Sequence, residues 1–382
     1  MRSVTELCHT TIPYAWAMTS SNLHGLAKAG VSIWSDQISK AMLDSGELGQ
    51  RVARDAVTGV TSNPTIFAGA IVGSSDYDQQ LNDLKSAGTP TEEIVKSLMA
   101  EDITRACDVL MPIHQNTDGK DGFVSVEVSP TLASDTEATV AEARDWVKQI
   151  DRPNLLVKVP ATPQGITAIQ RLIGEGISVN VTLIFSLERY GEVIDAYLGG
   201  LEAYHEVGGD LTTVASVASF FVSRFDSEVD HRLDAIDGSE ASGLKGVTAV
   251  ANARVAYGQF VNEFASTRYG MLAAKGGRPQ RPLWASTSTK NPDYNDLLYV
   301  EGLVASNTVN TMPLGTIDGY QDHGDPEPKG FSRFDITKAQ EDLDRLDRVG
   351  VDYEEVVQTL EREGVEKFVA SWLELLEGVE NA

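Results

Sequence analysis

The chain has 382 residues, of which 42% are hydrophobic and 23% are charged, a balance typical of a folded globular protein with a large core. Acidic side chains outnumber basic ones by 56 to 31, and the formal net charge of −25 argues against nucleic acid and anionic membranes as partners. Only Cys8 and Cys107 could contribute thiols, which excludes a disulfide framework and a cysteine-based zinc motif and favours a reducing compartment.

The first seven residues lack the apolar core of a signal peptide. No apolar run approaches the roughly 18 residues that a membrane-spanning helix needs. We therefore expect a cytoplasmic protein that does not enter the membrane. Monomer and homodimer both remain open as oligomeric states.

Short runs rich in β-branched residues recur along the chain and predict eight strands. These runs lie at residues 31–34, 56–61, 122–128, 154–158, 178–183, 212–218, 281–285 and 307–312. Segments with helical periodicity lie between them, at residues 91–113, 135–150, 163–174, 186–205, 219–236, 245–274 and 294–305. Strands that alternate with helices indicate parallel βαβ units, and eight such strands close a (β/α)8 TIM barrel. We therefore expect one barrel domain spanning residues 1–382.

Residues 313–330 are rich in glycine, aspartate and proline and are predicted to form a long loop. Beyond them, residues 336–348, 353–363 and 365–376 have the pattern of acidic amphipathic helices. We expect residues 331–382 to form a helical extension packed on the barrel. Two interpretations of these helices are open. They are either the last barrel helix followed by an extension, or an oligomer contact.

Lys158 is the centre of the predicted site, because it follows Leu-Leu-Val in a run typical of a buried parallel strand. Burial disfavours a charged ammonium, and a neutral amine can attack a carbonyl to form an imine. The simpler interpretation is a strand-end lysine that reaches solvent or pairs with Glu127.

Polar residues at the carboxyl ends of barrel strands usually form the active site. Together, these residues are more informative than any one of them alone. Those predicted to lie at the same barrel mouth as Lys158 are Asp36, Asn63, Glu127, Asn180 and Thr182. None of the six histidines lies at a predicted strand end or at metal-ligand spacing, which favours imine chemistry over metal chemistry. We therefore expect no metal and no organic cofactor.

Two stretches are candidates for binding a phosphate. Ser219 is predicted to cap the sixth barrel helix, where backbone N–H groups attract anions, and Arg224 follows it. After the seventh predicted strand, hydroxyls and a cation could bind the same anion: Ser286, Ser288 and Lys290. For the first stretch, the alternative is an ordinary helix cap with a surface arginine. For the second, it is a small polar loop.

At these residues the sequence resembles the transaldolases, especially the longer bacterial type. The matching runs occur in order, one per barrel unit: Ile-Trp-Ser-Asp36, Gly-Val-Thr-Ser-Asn63-Pro-Thr-Ile-Phe, Val-Ser-Val-Glu127-Val, Leu-Leu-Val-Lys158-Val-Pro-Ala-Thr-Pro-Gln-Gly-Ile, Val-Asn180-Val-Thr182-Leu-Ile-Phe-Ser and Ser219-Phe-Phe221-Val-Ser-Arg224. The resemblance implies transfer of a dihydroxyacetone unit from sedoheptulose 7-phosphate to glyceraldehyde 3-phosphate. The products are erythrose 4-phosphate and fructose 6-phosphate.

The resemblance also implies a role for each matching residue. Lys158 would form the Schiff base, Asp36 would take the C4 hydroxyl proton, and Glu127 would shuttle protons through a water held with Thr182. Asn63 and Asn180 would bind the three-carbon unit through their amides. Ser219 and Arg224 would bind the phosphate.

Two positions bear on which member of this group the chain resembles. Shorter transaldolases have a second phosphate-binding arginine after the seventh strand, whereas here Lys290 is the nearest cation. Fructose-6-phosphate aldolases carry a tyrosine that positions water for release of free dihydroxyacetone. If Phe221 is the matching position, it favours transfer over release. A catalytically silent sugar-phosphate binding protein is the alternative of a different class.

Overall fold

A computed structural model describes residues 21–382, so Cys8, His9 and the expected absence of a signal peptide lie outside the described residues. Eight parallel strands pair in chain order and β8 closes on β1. Their bounds are β1 (Val31–Ser35), β2 (Val57–Val60), β3 (Val124–Glu127), β4 (Leu155–Pro160), β5 (Val179–Ile184), β6 (Ser216–Phe221), β7 (Arg281–Ala285) and β8 (Thr308–Met312). The predicted (β/α)8 barrel is therefore confirmed.

The barrel forms because its strands are buried on both faces and are mostly apolar. Every residue of β4 and of β5 is buried, since helices cover the outside and side chains of other strands fill the inside. The same β-branched runs that predicted strands thus supply both layers of the core.

Helices cover the outside of the barrel and continue beyond it. Their bounds are α1 (Asn22–Lys28), α2 (Lys40–Asp44), α3 (Glu47–Arg54), α4 (Pro64–Ile71), α5 (Asp78–Ser86), α6 (Thr91–Asn116), α7 (Thr136–Ile150), α8 (Pro163–Gly174), α9 (Leu187–Glu206), α10 (Ser223–Leu233), α11 (Ser239–Ser242), α12 (Thr248–Glu263), α13 (Thr267–Ala273), α14 (Leu298–Glu301), α15 (Leu314–His323), α16 (Arg333–Val349) and α17 (Tyr353–Asn381). Short 3₁₀ turns lie at Ser75–Tyr77, Pro130–Leu132 and Leu211–Thr213.

Two helices that start at the barrel mouth, α8 and α9, have side-chain caps. Thr162 accepts a hydrogen bond from the backbone N–H of Gly165, and Pro163 is the first residue of α8. Ser186 caps α9 by accepting from Arg189. These caps fix where each strand ends and its helix begins, and hence where the site residues point.

The sixth unit differs from the prediction. Its strand lies at Ser216–Phe221 instead of 212–218, and α10 begins at Ser223 instead of at residue 219. The aromatic residues continue the strand because Phe220 pairs with Trp284 and Phe221 with Ala285 on β7. The predicted helix cap at Ser219 is therefore wrong.

Several helix bounds also differ. The predicted helix over 245–274 is two helices, because Ser266 caps a new one by accepting from Tyr269. The helix predicted over 294–305 is only α14, and residues 313–330 include α15 instead of forming one long loop.

The last two predicted helices are one continuous α17, with Gly364 inside it. A Cβ at that position would lie 3.1 Å from Leu183 Cδ2, so glycine lets α17 pack closely against β5. Within residues 21–382, no helix has both the length and the apolar character needed to cross a bilayer.

Candidate active site

Lys158 lies on β4 inside the barrel mouth, with 4% of its surface exposed. Its Nζ is 3.5 Å from Glu127 Oε2 on β3 and donates a hydrogen bond of 3.2 Å to the backbone carbonyl of Ser62. Backbone register aligns Glu127, Lys158 and Asn180 across three adjacent strands. The predicted lysine is thus buried and paired with the predicted carboxylate.

Glu127 is 4% exposed, and loss of hydration raises its pKa to about 7 although the Lys158 ammonium opposes that shift. Its Oε2 and the Thr182 hydroxyl are buried polar atoms without a hydrogen-bond partner among residues 21–382. A carboxyl with a pKa near neutrality can both give and take a proton, which suits general acid–base work.

The raised pKa of Glu127 predicts a pH dependence of stability. Because the folded protein holds this proton up to about pH 7 and the unfolded chain only to about 4.5, the folded state binds more protons in that window. We therefore compare the free energies of unfolding of wild type and Glu127→Gln. The wild-type value minus the variant value should fall as pH rises from about 4.5 through about 7. Denaturant unfolding of both proteins at several pH values measures this difference.

Glu93→Gln is the matched control, since Glu93 is an exposed helical glutamate. The wild-type free energy of unfolding minus that of Glu93→Gln should show no comparable decline between about pH 4.5 and about pH 7. If the wild-type free energy of unfolding minus that of Glu127→Gln rises with pH, the assignment of a raised pKa to Glu127 is contradicted.

Asp36 follows β1 directly, and its backbone N–H donates to the Met312 carbonyl at 2.8 Å. The Thr61 hydroxyl donates to Asp36 Oδ1 at 2.7 Å and lies 2.6 Å from the Thr311 hydroxyl. Loss of hydration raises the pKa of Asp36, and Lys158 is the largest opposing influence. The carboxylate is therefore held at the mouth, within electrostatic reach of the lysine.

The two predicted amides are held differently. Asn63 caps α4, where its Oδ1 accepts from Ile66 at 3.0 Å. Asn180 is fully buried, donates to the Ser125 hydroxyl at 3.0 Å and accepts from the Ser219 hydroxyl at 2.7 Å. An amide nitrogen carries two hydrogens, so one N–H of Asn180 is left for a ligand. Ser219, placed on a strand instead of at a helix end, orients this amide.

The candidate phosphate residues gather where the loops after β6 and β7 meet. Arg224 lies in the first turn of α10, with its Cζ 4.9 Å from the centre of the Phe221 ring. The Ser286 hydroxyl is 2.8 Å from the Ser223 hydroxyl, which joins the two loops. Lys290 donates to Ser288 at 2.7 Å.

Lys367 of α17 adds a third cation to Arg224 and Lys290. Loss of hydration lowers the pKa of Lys290, and repulsion from Lys367 and then from Arg224 lowers it further. Within the part of the chain that the structure describes, none of the three has a carboxylate partner at ion-pair distance. Three cations without carboxylate partners give this part of a strongly acidic protein a local positive charge.

Some contributors were not identified from the sequence. Ser62 contacts Lys158 through a backbone carbonyl, which carries no sequence signal. Thr61 was visible as a hydroxyl beside the second strand but its contact with Asp36 is tertiary. Phe368 lies on α17, far along the chain, with its ring centre 5.9 Å from Lys158 Nζ.

No group of three or more histidine, cysteine, aspartate or glutamate side chains within residues 21–382 is arranged to hold a metal ion. The described site residues instead present an amine, two carboxyls, amides, hydroxyls and cations. That set can carry out carbonyl chemistry on an anionic substrate.

Comparison with known proteins gives the family of the chain. Residues 33–379 match the family model described as transaldolase/fructose-6-phosphate aldolase. A protein named transaldolase from Thermobifida fusca is 54% identical over 360 residues, covering 94% of this chain and 97% of that protein. Another of that name from Saccharopolyspora erythraea is 51% identical over 361 residues, covering 94% and 97%. This chain therefore belongs to the transaldolase/fructose-6-phosphate aldolase family.

Proposed function

We propose that this protein is a cytoplasmic transaldolase of the non-oxidative pentose phosphate pathway. It transfers a dihydroxyacetone unit from sedoheptulose 7-phosphate to glyceraldehyde 3-phosphate, giving erythrose 4-phosphate and fructose 6-phosphate. The observation that carries the proposal is the buried Lys158 amine, 3.5 Å from a carboxyl whose pKa is about 7.

Imine formation comes first. The neutral amine of Lys158 attacks the C2 carbonyl of the donor, and the resulting carbinolamine must lose its hydroxyl as water. Glu127 supplies the proton for that loss through a water that it shares with Thr182, and later takes a proton when water returns to the imine. The proposal is supported by two buried oxygens that have no hydrogen-bond partner among residues 21–382, Glu127 Oε2 and the Thr182 hydroxyl.

Carbon–carbon cleavage follows. Asp36 takes the proton of the C4 hydroxyl, the C3–C4 bond breaks with its electrons moving toward the imine, and the aldehyde fragment leaves. The three-carbon unit stays on Lys158, where Asn63 and Asn180 bind its hydroxyls. An acceptor aldehyde then takes the place of the departed one, and the steps run in reverse.

The cations at the mouth bind the phosphate of donor and acceptor. Arg224 can form a two-pronged contact with phosphate oxygens, whereas Lys290 and Lys367 act as point charges. Ser286 and Ser288 lie beside them and offer hydroxyls. The stretch just after β7 has no arginine, and Lys367 adds a cation that was not expected from the sequence.

Phe221 favours transfer over release of dihydroxyacetone, the activity of the aldolases in the same family. Its ring is 5% exposed, packs 5.2 Å from that of Phe185 and has no hydroxyl to position a water. The site therefore lacks at this position the group that would promote hydrolysis.

The function is tested with purified protein, fructose 6-phosphate as donor and erythrose 4-phosphate as acceptor. We expect glyceraldehyde 3-phosphate and sedoheptulose 7-phosphate to form together, at a rate that depends on the acceptor. Equal rates of glyceraldehyde 3-phosphate formation with and without acceptor, with free dihydroxyacetone accumulating, would instead assign an aldolase.

A further inference from the structure

Helix α17 crosses the barrel mouth from one side to the other. At its start, the Tyr353 hydroxyl donates to Asn252 Oδ1 at 2.9 Å and accepts from the backbone N–H of Leu187 at 3.1 Å. Near its end, Gly378 lies against Val72 just after α4, so closely that a Cβ would be 2.5 Å from Val72 Cγ2. Its 29 residues span about 43 Å, enough to bridge the barrel.

The middle of α17 is fixed over the site. Gly364 packs on Leu183 and Phe185 at the end of β5, and the Ser371 hydroxyl is 2.8 Å from that of Thr65 on α4. Phe368 lies between these two contacts on the same helical face, because positions three and four apart are neighbours. The contacts of Gly364 and Ser371, on either side of Phe368 along the helix, thus fix Phe368 over the mouth.

Phe368 lies close to two of the cations of the site, Lys158 and Arg224. The centre of its ring is 5.9 Å from Lys158 Nζ and 5.6 Å from Arg224 Cζ, and only 2% of the residue is exposed. A phenyl ring offers no hydrogen bond to water, and its face attracts cations. An aromatic ring that lies over the reacting amine both covers it and separates it from solvent.

We propose that Phe368 is a specificity-determining residue that keeps bulk water away from the three-carbon intermediate on Lys158, so that transfer outcompetes hydrolysis. This inference rests on the proposed transaldolase function. The helical extension beyond the barrel would then complete the active site of its own chain.

The two fates of the intermediate differ in what reaches it. In transfer, its C3 carbanion attacks the acceptor aldehyde and a new C–C bond forms before the imine is hydrolysed. In hydrolysis, C3 takes a proton, water adds to C2 and the C–N bond breaks, which releases dihydroxyacetone and the Lys158 amine. Both fates end with water adding to C2, so they diverge at C3, where opening the site to solvent favours protonation over formation of the new C–C bond.

The test is Phe368→Ala, with fructose 6-phosphate as donor and erythrose 4-phosphate as acceptor. We expect the ratio of dihydroxyacetone released to sedoheptulose 7-phosphate formed to rise by roughly tenfold, equivalent to about 1.4 kcal/mol between the two barriers. Phe368→Leu, which stays large and apolar, should remain close to the wild-type ratio. If the alanine variant is too unstable to assay, Phe368→Val should show a rise of the same sign.

Leu375→Ala is the matched control, since Leu375 is buried on the same helix two turns further on. It should lower the melting temperature without changing the ratio. The inference is overturned if Leu375→Ala raises the ratio as much as Phe368→Ala, or if Phe368→Ala lowers both products equally. A wild-type protein that forms no sedoheptulose 7-phosphate would overturn the proposed function itself, which is a different result.

Discussion

Replacing Lys158 with methionine is expected to lower kcat/KM for transfer by at least roughly 10⁴-fold, as loss of a covalent nucleophile does in other enzymes. Methionine keeps an unbranched stem of similar length but has no amine to form the imine. Wild-type protein treated with borohydride and fructose 6-phosphate should carry an adduct on the peptide that contains Lys158. The variant should carry none, as measured by peptide mass spectrometry.

The variant should still fold. Burial already raises the pKa of Glu127 to about 7, and removing the Lys158 ammonium removes the main influence that opposes this shift. Glu127 then stays protonated and neutral at pH 7, which avoids an unpaired buried charge.

Lys148→Met is the matched control, because Lys148 is an exposed lysine on α7, and both activity and adduct should be unchanged. Retained transfer by Lys158→Met, or an adduct on Lys290 or Lys367, would move the imine to another amine.

The barrel was predictable because its signal is local. A parallel strand covered on both faces must be apolar along its whole length, so short β-branched runs mark it, and β7 has the predicted bounds of 281–285. The sixth strand was misplaced because Ser219-Phe-Phe221 fits the start of a helix as well as the end of a strand. Only pairing with Trp284 and Ala285 settles it, and pairing is a tertiary property.

The centre of the site was predictable for a related reason. Polar residues inside apolar strands are costly to bury, so Glu127 and Lys158 stand out in the sequence, and the register of β3 and β4 brings them together. What could not be predicted is which residues approach from elsewhere. Phe368 and Lys367 come from a helix whose own periodicity marks only an apolar face, without indicating what that face covers.

Replacing Asp36 with asparagine should separate cleavage from imine formation. Asparagine has the same shape and can still accept the Thr61 hydrogen bond, which is 2.7 Å long in the structure. It cannot take the C4 hydroxyl proton, so we expect kcat to fall by roughly 10² to 10⁴, the usual contribution of a general base. The coupled assay with erythrose 4-phosphate as acceptor measures this loss.

Trapping reveals which step is blocked. With fructose 6-phosphate and borohydride, wild type should carry mainly a three-carbon adduct on Lys158, because cleavage precedes reduction. Asp36→Asn should carry the six-carbon sugar phosphate, since its imine forms but does not break. Glu127→Gln provides the contrast, because slower imine formation should leave little adduct of either size.

These outcomes distinguish the roles of two carboxyls that differ in their surroundings. Asp36 is fixed at the rim by the Thr61 hydroxyl, whereas Glu127 lies beside the amine, and its Oε2 has no hydrogen-bond partner among residues 21–382. A three-carbon adduct on Asp36→Asn, formed at the wild-type rate, would remove Asp36 from the cleavage step. The base for the C4 hydroxyl would then have to be Glu127, the carboxyl that lies 3.5 Å from Lys158 Nζ. The same experiment therefore decides between one proton-transfer group for each chemical step and a single group serving both.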